Sequence, residues 1–258
     1  MSKYKISIVG AGNLATNLAI ALEGEGYEIQ EVFSRTFEKA RKLATKLKKA
    51  TPVCTEDFSK SKSFVFFLAV ADNALPEIAN SFTFPENALV AHTSGAVPLS
   101  ALSIIATEKG VFYPLQTFSL EKIHSFRKIP ILIEAYSVST EKILTEIALS
   151  LTSHIFYFDS PKRKTVHLAA VFASNFVNRL LAFAAQVLEK DKAAFQILKE
   201  LTLESVNKAF EVGPETAQTG PASRGDAQTI ETHLHMLEAK PELQAVYKLI
   251  SKQIPLKK

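Results

Sequence analysis

Apolar residues in the first 159 positions fall into short runs; in the remainder they recur at helical spacing. Ile6, Ile8 and Val9 read as a short buried strand, and Leu14, Leu18 and Leu22 then repeat every four residues along one helix face. Residues 27–33 alternate as a second strand. Residues 37–49 predict a basic amphipathic helix, and Val53 marks a short third strand. The near-continuous apolar run 63–70 is the pattern of a central parallel strand covered on both faces. Residues 88–91, 111–118, 129–134 and 154–158 supply four more strands, the last two separated by a helix over 140–151. This alternation predicts an α/β fold built on one doubly wound sheet. From Pro161 onward only helical periodicity remains, with helices expected over 161–190, 193–211, 227–239 and 242–253. A loop rich in Gly, Pro and Thr fills 212–224. The expected division is a sheet domain over 1–159 and an all-helical domain over 160–258.

The first strand and helix are joined by Gly10-Ala11-Gly12-Asn13-Leu14-Ala15, a Gly-x-Gly-x-x-Ala dinucleotide fingerprint in the required strand–turn–helix order. Gly10 permits the tight turn, Gly12 lets backbone approach a pyrophosphate, and Ala15 lets the helix pack close to the sheet. The helix start, with Asn13 and Leu14, offers unpaired N–H groups and a positive dipole end to phosphates. The second strand ends in Ser34-Arg35-Thr36, where an acidic residue would bind the ribose 2′-hydroxyl of NAD and repel a phosphate. No acid stands there. A serine hydroxyl and a guanidinium suit the 2′-phosphate of NADP instead, so NADP is the expected cofactor. The backbone of Ala69, Val70, Ala71 and Asp72, at the end of the central strand, is expected beside it, with Asp72 also a natural N-cap.

At 258 residues, 47% hydrophobic and 22% charged, the chain has the composition of a soluble globular protein. Its net charge of +4 is spread out, with small clusters at Lys46, Lys48 and Lys49 and at Lys257 and Lys258, and no basic stripe interleaved with aromatics. Nucleic acid is therefore not an expected partner. Cys54 is the only cysteine, which excludes an intrachain disulfide and a thiolate metal cluster and fits a cytoplasmic protein. No metal site is expected. The apolar segment 168–188 contains Asn175, Asn178, Arg179 and Gln186, groups expensive in lipid, and is expected to be a buried helix, not a membrane span.

A nucleotide-binding sheet followed by a helical half resembles the superfamily of 6-phosphogluconate dehydrogenase, ketopantoate reductase and pyrroline-5-carboxylate reductase. Four stretches resemble Rossmann-like NADP-binding oxidoreductases with a DUF2520 C-terminal domain. They are His92-Thr93-Ser94-Gly95-Ala96, Tyr113-Pro114-Leu115-Gln116-Thr117-Phe118, residues 167–176 and Thr219-Gly220-Pro221-Ala222-Ser223-Arg224-Gly225-Asp226. The resemblance implies a Rossmann fold, an NADP cofactor and a helical half that commonly dimerises. Tyr113 stands where that family usually has His, which weakens a proton-transfer role at the position. If Asn175 matches the Asn of the ketopantoate reductase Lys-x-x-x-Asn pattern, the Lys position is Val171, and no ammonium is available there.

His167, Val171, Asn175 and Asn178 are spaced to share one face of an α-helix. An imidazole near carboxamides suits an acid for the alkoxide left by hydride transfer, so His167 and Asn175 are candidate catalytic residues. The structural alternative has His167 lining an interface. His92 and Ser94, past the carboxyl end of the fifth strand, are candidates for substrate contact, or else form a Ser/Thr-capped turn. Ser223 to Asp226 has capping-box character, Arg224 and Asp226 are spaced to pair, and Arg224 is also placed to take a substrate carboxylate. The expected function is an NADP-dependent oxidoreductase acting on a small carbonyl or imine, as a homodimer through its C-terminal helices. The competing expectation is a non-catalytic NADP(H)-binding sensor.

Overall fold

In the computed structural model, residues 3–103 and 108–256 are described; Lys257 and Lys258 lie outside them. The chain forms two compact units, Met1–Ser174 and Asn175–Lys258. The opening turns of the helix that begins at Ser160 therefore go with the sheet.

The first unit contains β1 (Lys5–Val9), α1 (Asn13–Gly24), β2 (Glu28–Phe33), α2 (Phe37–Ala44), β3 (Thr51–Val53), β4 (Val65–Leu68), α3 (Leu75–Ser81) and β5 (Leu89–His92). It continues with β6 (Glu108–Pro114), β7 (Ile131–Ala135), α4 (Val138–Leu151), β8 (Ile155–Tyr157) and α5 (Ser160–Ala170). The eight strands form one sheet in the order β3-β2-β1-β4-β5-β6-β7-β8. All neighbours are parallel except β6 and β7. Strand order reverses between β1 and β4, and the crevice beyond the carboxyl ends at such a point is where open α/β sheets bind ligands.

The period of two explains why β4 reads as an unbroken apolar run. Val65 and Phe67 belong to one core with Leu18 and Leu22 of α1 and Leu144 and Ile147 of α4. Phe66 and Leu68 point to the other face, into a core with Leu75 and Ile78 of α3 and the rings of Phe58, Phe82 and Phe84. Each such fully buried side chain contributes roughly 1.5–3 kcal/mol.

Two expected elements end early. The helix at 37–49 ends at Ala44, and the strand at 111–118 starts at Glu108 and stops at Pro114. Proline has no N–H to extend a ladder, so residues 115–118 leave the sheet as a loop. Asp72 does not cap: it opens a short 3-10 turn behind Ala71, with no side-chain hydrogen bond at the cap.

The second unit carries α6 (Val177–Val187), α7 (Lys192–Val212), the short helices α8 (Pro214–Ala217) and α9 (Pro221–Arg224), α10 (Ala227–Met236) and α11 (Pro241–Gln253). Asp191 caps α7 by accepting from the N–H groups of Ala193 and Ala194. Asp226 caps α10 through the Thr229 N–H and hydroxyl, and this holds its carboxyl below the usual aspartate range. The capping box expected at Ser223 does not form, because the Ser223 hydroxyl is buried without a hydrogen-bond partner. Nor is there an ion pair between Arg224 and Asp226, whose carboxylate Thr229 occupies.

Two further corrections concern the long helix. Val171–Phe176 is a π-helical turn between α5 and α6. A π turn holds more residues than an α turn, so His167, Val171, Asn175 and Asn178 do not stack on one face at four-residue spacing. The segment expected to be buried is also exposed. Leu168, Phe172 and Phe176 are 59%, 62% and 47% accessible. By length and composition Ser160–Val187 could cross a membrane, and none of its apolar window is buried.

Candidate functional site

A cleft of ≈ 280 Å³ opens at the carboxyl ends of β1, β2 and β4. Gly10 has φ +126°, and a Cβ there would lie 2.1 Å from the Ala69 carbonyl oxygen. Glycine is required because two strand ends pass against each other. Gly12 is different: nothing lies within 4 Å of where its Cβ would be. It is the N-cap of α1, makes no side-chain capping bond, and is followed by no acidic residue in the first turn. The first N–H groups of α1 thus have no side-chain cap.

Of the residues expected to hold a dinucleotide, Gly10, Gly12, Ser34, Arg35, Val70 and Ala71 line this cleft. Three do not. The Asn13 side chain donates to the Phe118 carbonyl at 3.0 Å, Leu14 packs against the core, and Asp72 stands outside the lining. The rim adds residues that sequence reasoning missed: Thr36, Lys39, Glu56 and Glu77. Lys39, four residues past Arg35 in the first turn of α2, is a signal the sequence did contain. Arg35 lies 3.6 Å from Glu77, both well exposed, and such a pair stabilises the fold very little. Its guanidinium is available to a phosphate. Bare amides at a helix start, with Arg35 and Lys39 beside them, fit a dinucleotide carrying an extra phosphate on its ribose.

Farther along the same sheet end, β5, β6 and α5 converge on Gly95. A Cβ on Gly95 would meet Tyr113 Cζ at 2.6 Å and His167 Nδ1 at 2.8 Å. The bare glycine seats both rings. Tyr113 Oη and His167 Nδ1 are hydrogen-bonded at 3.0 Å, with the rings edge-on. Burial raises the Tyr113 phenol above its ordinary pKa of 10.0; the Asp72 charge raises it further, and the Arg163 charge pulls it back. Ser94 is buried, and its Oγ accepts from the N–H groups of Ala96 and Val97, so it shapes the turn.

His92 lies behind this surface, fully buried. Its Nδ1 accepts from the Ser94 N–H at 3.2 Å, and its Nε2 has no partner within hydrogen-bonding geometry. Burial first, and the Arg163 charge second, depress its pKa from 6.5 to about 3, against a small opposing pull from the Pro98 backbone. The ring is neutral at physiological pH, which fits a support and not a proton donor. Arg163 itself is a fully buried cation, paired with Glu134 and hydrogen-bonded to the Val97 carbonyl. Sequence reading missed it because it sits in the basic run Lys162-Arg163-Lys164, which looks like solvated surface. Asn175, exposed, begins the other unit.

Comparison with known proteins agrees with this geometry. Residues 5–95 match the family described as NADP oxidoreductase coenzyme F420-dependent, and residues 129–254 match the domain of unknown function DUF2520. A solved protein from Bacteroides fragilis, named as a candidate NADP oxidoreductase, is 38% identical over 98% of both chains, with a TM-score of 0.87. A Thermotoga maritima protein is 24% identical over 96% of this chain and 97% of that one, TM-score 0.75. A reductive aminase from Aspergillus terreus, solved with NADPH and ethyl-5-oxohexanoate, shares the fold at 16% identity over 97% and 93%, TM-score 0.71. Glutamyl-tRNA reductase of Sulfurisphaera tokodaii matches over 72 residues at 41% identity, 27% of this chain and 17% of the reductase's length. With a sheet that places an open helix start beside two cations, and a full-length relative of the same kind, the chain belongs to the Rossmann-like NADP oxidoreductases that carry a DUF2520 C-terminal domain.

Proposed function

We propose that this protein binds NADP and reduces a small carbonyl or imine compound. The observation that carries the reading is the cleft at the β1–β4 crevice. Its floor is the uncapped start of α1, and its rim holds Arg35 and Lys39 with no acid on the β2 terminus. The pyrophosphate would rest on the N–H groups that follow Gly12, and the 2′-phosphate would exchange for Glu77 on Arg35. Bound NADPH supplies the hydride. The chain's part is to orient the acceptor and to manage one proton, for which Tyr113 and His167 at Gly95 are at hand and Ser94 and His92 hold the turn in shape. Asn175 is proposed as an orienting carboxamide. The polar pair at the sheet end favours an enzyme over a sensor.

The protein is further proposed to be a soluble, cytoplasmic homodimer. Among the described residues of the second unit, only Ser223, Leu237 and Leu243 are buried, too little for a free-standing helical core. A second copy, not lipid, suits the uncovered faces, because Asn178 and Arg179 lie along them. The test of function is NADPH oxidation followed at 340 nm against keto acids, ketones with and without amines, and cyclic imines, with NADH as control. Turnover of at least one class with NADPH is expected. Absorbance that stays flat with every class, at saturating NADPH, would contradict the reading.

A further inference from the structure

We propose that Tyr113 is the group that protonates the reacting heteroatom, with His167 behind it as the source that restores its proton. This rests on the function proposed above and names a residue that the sequence pattern discounted. Of the polar side chains near the carboxyl end of β5, those of Thr93, Ser94 and His92 are committed, Thr93 by donating to the Leu68 carbonyl. The Ser94 hydroxyl oxygen holds the turn through the N–H groups of Ala96 and Val97. The His92 ring is sealed in the core with Nδ1 occupied. Tyr113 differs from all three. It is half-buried, its hydroxyl meets His167 Nδ1 at 3.0 Å, and a phenol can accept from an imidazole N–H while giving its own proton to a third atom.

Its place in the sheet agrees. Tyr113 lies in β6, beyond the paired rungs that end at His92 and Val111, at the carboxyl end of β5. The charges that act on the phenol are Asp72, next in chain to the cleft residue Ala71, and Arg163 of α5. Burial keeps the phenol protonated at neutral pH, the form a donor needs.

The acceptor carbon gains a hydride, with its electron pair, from a reduced nicotinamide dinucleotide, which is oxidised. The π pair of the C=O or C=N bond moves to the heteroatom, which takes the proton from Tyr113 Oη. Tyr113 Oη recovers a proton from His167 Nδ1, His167 Nε2 takes one from solvent, and exchange with water returns the ring proton to Nδ1 before the next turnover. One hydride and one solvent proton are consumed per turnover.

The test uses the full chain with Tyr113→Phe and His167→Gln, and its first readout needs no acceptor. Side-chain ¹⁵N NMR at one fixed pH should show the His167 Nδ1 resonance displaced in Tyr113→Phe, because the hydrogen bond from the ring to Tyr113 Oη is lost. An unmoved resonance would overturn the relay. NADPH affinity, read by nicotinamide fluorescence, should stay within about threefold in both variants. With ethyl levulinate or cyclohexanone as acceptor, Tyr113→Phe should lower single-turnover hydride transfer by about 10²–10⁴-fold. His167→Gln should lower it less and shift the pH profile. Full turnover in Tyr113→Phe defeats this proposal alone; a wild-type chain with no affinity for NADPH defeats the reading beneath it.

Discussion

The two units of this chain bury apolar surface by different means. In the sheet unit each residue of β4 and β5 is buried, and two cores close against α1, α3 and α4 within one copy. In the helical unit α6, α7 and α10 contain no buried residue, and Ile197 and Phe210 of α7 are 78% and 85% exposed. What differs is where the complement lies: a parallel sheet supplies its own through crossover helices, whereas amphipathic helices need a further surface. The sheet unit can therefore hold a ligand cleft to fixed geometry by itself. The helical unit is the place to expect a second copy.

The largest effect should come from the sheet unit's own constraint. Gly10→Ala places a Cβ against the Ala69 carbonyl at positive φ and should cost about 3 kcal/mol or more. Thermal unfolding should fall by roughly 10 °C, with NADPH binding lost. A variant of unchanged melting temperature would show that the strand crossing is not rigid. The helical unit should respond next. Phe210→Asp should raise the dimer dissociation constant at least about a hundredfold, or about 2.7 kcal/mol, in sedimentation equilibrium. A wild-type chain that is monomeric at every concentration would remove the contrast between the units.

The smallest effect is one of pH. His92 takes a proton near pH 6.5 when unfolded and only near about 3 when folded. Between these values unfolding takes up a proton, so stability falls as pH falls, by roughly 1.4 kcal/mol per pH unit. His92→Gln should flatten that part of the curve in urea midpoints at pH 7, 6 and 5. An unchanged slope would place the acid sensitivity elsewhere.

Sequence alone carried the eight strands, because most are short apolar runs bounded by polar turns, and it pointed to the cleft at the start of α1, because a glycine turn between a strand and a helix is a local signal. What it could not carry were non-local features. The antiparallel step at β7 leaves no mark in a period-two pattern, since alternation has no direction. The π turn at Val171–Phe176 escaped because spacing was counted at α-helical pitch. Arg163 is buried against partners distant in sequence, Glu134 twenty-nine residues earlier and the Val97 carbonyl sixty-six residues earlier. Tyr113 was discounted for not being His; its partner is fifty-four residues away and becomes visible only once Gly95 brings the two rings together.

The account rests on a dinucleotide phosphate held at the start of α1 and a 2′-phosphate held at Arg35. Titration of the full chain with NADPH and with NADH, at one fixed salt concentration, tests this most directly. NADPH should bind at least about tenfold more tightly, a difference of about 1.4 kcal/mol, and Arg35→Asp should abolish the preference while leaving NADH affinity close to wild type. Equal affinity for the two dinucleotides in the wild type, or no measurable affinity for either, would contradict it.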